Sequence, residues 1–141
     1  MLINLENKIS LITGAGRGIG EGICIDLAKA GSKIIAVSRN NKNLKQLKKK
    51  LYGSDHLFLS CDLEKKNSLK KVFSFLKKYK IKPDIVVNNV GGNLGYTDPL
   101  APASDFEKVF HLNFNLTVEI NRFVIPNMIK KKWGRIINIS S

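Results

Sequence analysis

Cysteine, tryptophan and proline are scarce: the chain holds two, one and four of them. Cys24 and Cys61 fit neither a metal-binding spacing nor a disulfide framework. Both sit among apolar neighbours, which predicts small core residues in a reducing cytoplasm. No uninterrupted apolar stretch approaches the roughly 18 residues that cross a bilayer, so no membrane span is expected. The opening Met1-Leu2-Ile3-Asn4-Leu5-Glu6 lacks a basic region followed by an apolar block, so no secretory signal is expected either. Neither His56 nor His111 has a second ligand at metal spacing, and no metal site is predicted. Carboxylates are few as well, 11 against 24 lysines and arginines, which leaves a formal charge of +13.

What is present describes an ordinary globular chain, with 43% hydrophobic and 25% charged residues over 141 positions. One domain over residues 1–141 can bury roughly two-thirds of its unfolded surface. The charge excess invites a nucleic-acid partner, but its distribution argues otherwise. Lysine supplies 20 of the 24 basic residues and is densest in Lys42–Lys50, where leucines interleave at helical spacing. That is the solvated side of an amphipathic helix whose inner side is Leu44, Leu47 and Leu51. No zinc pattern and no base-stacking aromatic run accompanies it. A positive field suits an anionic substrate or cofactor better.

Apolar runs alternate with helical patterns from the start. Ile9–Thr13 reads as a strand stopping at Gly14. A helix follows with an expected inward stripe of Ile19, Ile23 and Leu27, closed by Gly31. Lys33–Ser38 is a second strand, and Asn40 or Asn41 can cap the lysine-rich helix after it. His56–Ser60 is a third strand, followed by a helix from about Ser68 to Tyr79 with Leu69, Val72, Phe73 and Leu76 inward. Asp84–Asn88 is a fourth strand. A loop through Gly91, Gly92 and Gly95 leads to Ser104-Asp105-Phe106-Glu107, whose capping-box form predicts a helix start. The helical pattern runs through Phe110, Phe114 and Val118 to Ile129, with Pro126 bending its last turn and Gly134 ending it. Arg135–Ser141 is a fifth strand. Continuous apolar strands alternating with helices predict an α/β fold, a parallel sheet covered on both faces. Inner strands need neighbours, so an isoleucine-rich strand as the final segment predicts an N-terminal portion of a larger domain.

The most informative segment is Thr13-Gly14-Ala15-Gly16-Arg17-Gly18-Ile19-Gly20, between the first strand and the first helix. Glycines there let backbone approach a pyrophosphate closely, and the helix start offers free amides and a positive dipole end. The spacing is T-G-x-x-x-G-x-G, because Ile19 and Glu21 occupy the places of a third glycine in the commoner G-x-G-x-x-G. The second strand ends in Val37-Ser38-Arg39, with no carboxylate to bond a ribose 2′-hydroxyl. Arg39, with Arg17 from the loop and the Ser38 hydroxyl, suits a 2′-phosphate dianion. NADP(H) is therefore the expected cofactor, with NAD(H) second.

Over essentially its whole length the sequence resembles the short-chain dehydrogenase/reductase family. The matching residues are Thr13-Gly14-x-x-x-Gly18-x-Gly20, Cys61-Asp62-Leu63, Asn88-Asn89-Val90-Gly91, Asn113 and Gly134–Ser141. Val90 stands where the family usually has alanine. The resemblance implies a Rossmann-type doubly wound sheet of order 3-2-1-4-5, with the cofactor between strands one and four. It implies that Asp62, followed by Leu63, meets the adenine amino group, and that Asn88 and the backbone through Val90 and Gly91 wall the adenosine ribose. Asn113 is similar to the family's helix asparagine, which holds a water in a proton relay, and Ser141 to the serine that binds the substrate oxygen.

The family's acid, a tyrosine with lysine four residues on, is expected about a dozen positions past Ser141. Tyr52, Tyr79 and Tyr96 are followed at that step by His56, Pro83 and Leu100. The 141 residues alone are therefore expected to be inactive, and the longer chain to be an oxidoreductase exchanging a hydride with a carbonyl or alcohol carbon. Its substrate is a small molecule, free or carried on an acidic carrier protein. A homodimer or homotetramer is expected through the helix after Asn113, where Phe114, Val118, Ile120, Phe123 and Val124 exceed one apolar stripe. The alternative is a nucleotide-sensing or scaffold protein that keeps the fold without the chemistry.

Overall fold

Successive residues of a strand face opposite sides, so a run apolar at every position needs cover on both. The computed structural model, which describes residues 3–140, meets that need for the inner strands but not along residues 135–138, which are mostly exposed. Strands β1 (Ile9–Thr13), β2 (Lys33–Ser38), β3 (Leu57–Ser60), β4 (Ile85–Asn88) and β5 (Arg135–Asn138) form one parallel sheet in the order β3-β2-β1-β4-β5. Leu11 is in register with Ile35 on one side and Val86 on the other. Helices α1 (Gly18–Lys29) and α2 (Asn41–Lys50) cover one face, where Cys24, Ala28, Leu44 and Leu47 pack on Ile12, Ile34, Ala36 and Val87. Helices α3 (Ser68–Lys78) and α5 (Leu116–Lys131) cover the other, with Val72, Leu76, Ile120 and Val124 on Leu11, Ile35, Val37 and Val86. Short α4 (Ala103–Phe110) joins α5 through a π turn, His111–Asn115.

Several local expectations shift. The buried stripe of α1 is Gly20, Cys24 and Ala28, whereas Ile19 is 64% exposed. Small residues let the helix start lie close to the sheet, and Ile23 and Leu27 flank them half-buried. His56 precedes β3, and its imidazole serves as a β2 partner instead: Nδ1 accepts from the Ile34 amide at 3.0 Å, and Nε2 lies 2.8 Å from the Tyr52 carbonyl. Ser104 is not a cap. Helix α4 starts one residue earlier, behind Pro102 at φ −64° and ψ 153°, because a proline ends the extended segment and its carbonyl accepts from Asp105 at 2.9 Å. Helix α5 ends not at Gly134 but at Lys131, capped by Lys132 in the left-handed conformation. Strand β5 stops at Asn138, although the Ile139 amide still bonds the Asn88 carbonyl at 2.9 Å. Asn40 does cap α2, accepting from Asn43 N at 3.1 Å.

At the amino ends of the strands Asp84, 6% exposed, ties three elements together. Its Oδ2 accepts from the Ile9 amide at 3.0 Å and its Oδ1 from Lys131 at 2.7 Å. That clamp fixes β1, β4 and the end of α5 far from the carboxyl ends, where the strand order reverses. Doubly wound sheets place ligands at that reversal.

Candidate functional site

Beyond the ends of β1 and β4 the chain crosses over itself. The Thr13 hydroxyl accepts from the amides of Asn89 at 3.0 Å and Val90 at 3.1 Å. Asn89 returns its Nδ2 to the carbonyls of Thr13 and Gly14, each at 3.2 Å. Gly14, at φ +63°, has no room for a side chain, since a Cβ there would lie 2.8 Å from that amide. The Ala15 amide bonds the Val37 carbonyl at 3.0 Å, drawing the loop over β2. Arg17 precedes α1 in extended conformation without capping it, so the first amides of this twelve-residue helix stay free for an anion.

These elements surround a cleft of about 360 Å³. Gly14, Gly16 and Arg17 form one wall, and Val37, Ser38, Arg39, Asn40 and Asn43 the next. Cys61, Asp62, Leu63 and Glu64 face Asn89, Val90 and Gly91, with Leu112 closing the end. Among the expected cofactor residues, Gly14, Gly16, Arg17, Ser38, Arg39, Asp62, Leu63, Val90 and Gly91 thus meet at one cleft. A Cβ on Gly16 would collide with Ser38 Oγ, so glycine is what lets the loop pass β2 so closely. Asn40, Asn43, Glu64, Asn89 and Leu112 were not among the expected site residues. The capping signal at Asn40 points to one of them, and Asn89 belongs to the Asn88-Asn89-Val90-Gly91 motif.

The remaining expected residues that the structure describes lie off the cleft. Gly20 packs against the Gly14 carbonyl with no space for a methyl, and Gly18 turns the chain at φ +56°. The side chain of Ile19 points to solvent at the helix start. Asn88 is buried below, its Nδ2 donating to Asn121 Oδ1 at 3.0 Å and Asn138 Oδ1 at 2.9 Å, while its own Oδ1 has no partner among the described residues. Asn113 sits in the π turn. Its Oδ1 accepts from the Gly92 amide at 3.0 Å, and its Nδ2 donates to the carbonyls of Gly92 and Val109, both at 2.8 Å. It therefore holds the glycine loop against the helix. Ser141 lies outside the described residues.

The cleft is charged on two sides. The Arg17 guanidinium has no hydrogen bond or ion pair among the described residues, whereas Arg39 Nη1 donates to Glu64 Oε1 at 2.7 Å. Beyond Leu112 lies a second hollow of about 580 Å³, lined by Leu94, Tyr96, Ser104, Glu107, Lys108 and His111. There hydrogen bonds to Asp105 and Tyr96 push the exposed Lys108 ammonium upward in pKa. Burial pushes the Cys24 thiol up to about 12, with the Glu21 carboxylate adding to it, and raises Cys61 as well. Neither thiol is poised as a nucleophile. No group of three or more His, Cys, Asp or Glu that could hold a metal exists among the described residues. No helix there is long and apolar enough to cross a membrane.

A glycine-walled cleft that a Cβ would fill, next to uncapped helix amides and two guanidiniums, fits the diphosphate of a nicotinamide dinucleotide. Comparisons with known proteins agree with this geometry. The family model described as short chain dehydrogenase matches residues 8–141. The chain is 38% identical over 143 residues to a 3-oxoacyl-acyl-carrier-protein reductase of Rickettsia typhi, covering 99% of this chain and 56% of that protein. It is 34% identical over 133 residues to an NADPH-dependent pterin aldehyde reductase of Arabidopsis thaliana, covering 93% and 55%. Among solved structures, a 7 alpha-hydroxysteroid dehydrogenase complexed with NADH and 7-oxo glycochenodeoxycholic acid superposes with TM-score 0.88 at 31% identity, covering 99% and 55%. An NADP-bound 3-oxoacyl-acyl-carrier-protein reductase from Agrobacterium tumefaciens C58 gives 0.87 at 25%, with the same coverage. The chain thus spans a little over half the length of these relatives.

Proposed function

This chain belongs to the short-chain dehydrogenase family, and from that premise we propose that it carries the cofactor half of an oxidoreductase that uses NADP(H) to interconvert a carbonyl and an alcohol. The single observation that carries the cofactor choice is the convergence of Arg17, Ser38 and Arg39 on the cleft, with no carboxylate at the tip of β2. When bound, the nicotinamide supplies the hydride exchange, which the protein positions and does not itself perform.

Each wall has one task. The free amides opening α1, beside Gly14, Gly16 and Gly18, hold the diphosphate. Arg17, Ser38 and Arg39 bond the 2′-phosphate through charge-assisted contacts that a 2′-hydroxyl cannot match, which places NAD(H) second. Asp62 accepts from the adenine amino group beside Leu63, and Val90 and Gly91 flank the adenosine ribose. Gly20 and Asn88 act from beneath, one by letting the loop close and the other by bracing β4. Asn113 holds the Gly92 loop and orders the water of the proton relay. Ser141 binds the substrate oxygen.

The substrate is a small carbonyl or alcohol, free or delivered on an acidic carrier protein, to which the +13 charge is favourable. The whole protein assembles as a homodimer or homotetramer. Support comes from a row of aromatics on α4 and the π turn: Phe106, Phe110 and Phe114 are each more than half exposed, and the last two rings touch at 4.9 Å. The row differs from the sequence expectation, because Ile120 and Val124 are buried and Phe123 stacks on Phe73 at 4.2 Å. Titration with NADPH and NADH tests the cofactor choice. NADPH is expected to bind at least tenfold more tightly, about the contribution of one charge-assisted hydrogen bond; equal or stronger binding of NADH contradicts it.

A further inference from the structure

The two guanidiniums at the cleft are not equivalent. The Arg17 guanidinium is free of partners among the described residues, but that of Arg39 is already occupied by Glu64. The pair spans the rim, from the end of β2 to the turn between β3 and α3, and both residues line the cleft. Its geometry is set by backbone anchors on each side. The Glu64 amide donates to Asp62 Oδ1 at 3.2 Å, and Leu63, 4% exposed, pins the turn from below while its carbonyl accepts from Ser68 Oγ at 3.2 Å. Opposite, the Arg39 carbonyl accepts from Ser60 Oγ at 3.3 Å, and the Cys61 amide bonds the Ser38 carbonyl at 2.9 Å. These anchors fix the two backbone segments from which the guanidinium and the carboxylate meet.

We infer that Glu64 is a specificity-determining residue of this site: it competes with the adenosine 2′-phosphate for Arg39 and so narrows the preference for NADP(H) over NAD(H). This rests on the cofactor reading above. A phosphate dianion arriving at Arg39 meets the Glu64 carboxylate paired with it at 2.7 Å, and its repulsion by one carboxylate is twice that between unit charges at the same distance. That exceeds what an exposed ion pair gains by holding one side chain still. A ribose 2′-hydroxyl meets no such repulsion and can donate to a carboxylate. The sign follows: removing the charge of Glu64 strengthens the 2′-phosphorylated cofactor and leaves the other nearly alone.

Calorimetric binding of NADPH and NADH to the purified protein, its Glu64→Gln and Arg39→Met variants and the Glu64→Gln/Arg39→Met double variant tests this without turnover. Glu64→Gln is expected to tighten NADPH about three- to tenfold while NADH changes less than about twofold. Against Arg39→Met alone, the double variant is expected to show no such gain. A wild-type protein that prefers NADPH but is unchanged or weakened by Glu64→Gln overturns the role of Glu64 and leaves the cofactor choice standing. A gain that persists without Arg39 also overturns it, since competition for that guanidinium would not be the cause. If neither wild type nor variant binds either nucleotide, the cofactor reading falls and this inference with it.

Discussion

A methyl group on Gly20 would meet the backbone carbonyl of Gly14, which no rotamer can move aside. Gly20→Ala is therefore expected to destabilise the fold by about 1–3 kcal/mol, as overpacking does, lowering the urea midpoint at unchanged slope. Arg39→Asp acts on ligand instead of fold. It removes the proposed charge-assisted bond, and NADPH affinity should fall by about 1.5–3 kcal/mol while NADH is not weakened, since the new carboxylate can accept from a ribose 2′-hydroxyl. Cys24 gives a pH signature. Its folded pKa of about 12 lies above that of an exposed thiol. Its contribution to stability is thus complete below the unfolded thiol pKa and lost as pH rises towards 12, by about 1.4 kcal/mol per unit from this group. Chemical denaturation at pH 8, 9 and 10 reads the slope, and a thiol reagent should modify Cys24 only on unfolding. The glycines, Ser38 and the arginines were legible in sequence because each sits within a few positions of a strand end. Glu64 was not, because a partner 25 residues from Arg39 leaves no periodic trace.

Among the elements, the π turn was the least legible. Apolar spacing runs unbroken from Phe106 to Phe114, so one continuous helix was the natural expectation, and nothing local marks a widened turn. The structure places Asn113 inside it, and its three bonds to Gly92 and Val109 join helix to loop. Asn113→Ala is expected to release that loop, raising amide exchange at Gly92 and lowering stability by about 0.5–1.5 kcal/mol. Unchanged exchange at Gly92 would show that the side chain does not hold it. The misplaced start of α4 has a similar lesson. Ser104 and Glu107 have capping-box spacing, but Pro102 sets the backbone two residues earlier and takes the cap position itself.

For the whole molecule, the two-sided core followed from the continuously apolar inner strands, which a covered parallel sheet accommodates, whereas the strand order followed from the family resemblance. The aromatic row at Phe106, Phe110 and Phe114 was less legible, because helical spacing alone does not say which of two apolar faces meets the sheet. Phe110→Glu is expected to shift the assembled protein towards monomer in sedimentation velocity, with helicity unchanged by circular dichroism. An unaltered assembly would move the interface elsewhere. The central claim concerns the cleft where β1 and β4 part, and crystallography of the protein with NADPH tests it most directly. The account predicts the diphosphate over the free amides opening α1 and the 2′-phosphate between Arg17 and Arg39. A nucleotide bound elsewhere, or one whose 2′-phosphate turns away from both guanidiniums, would contradict it.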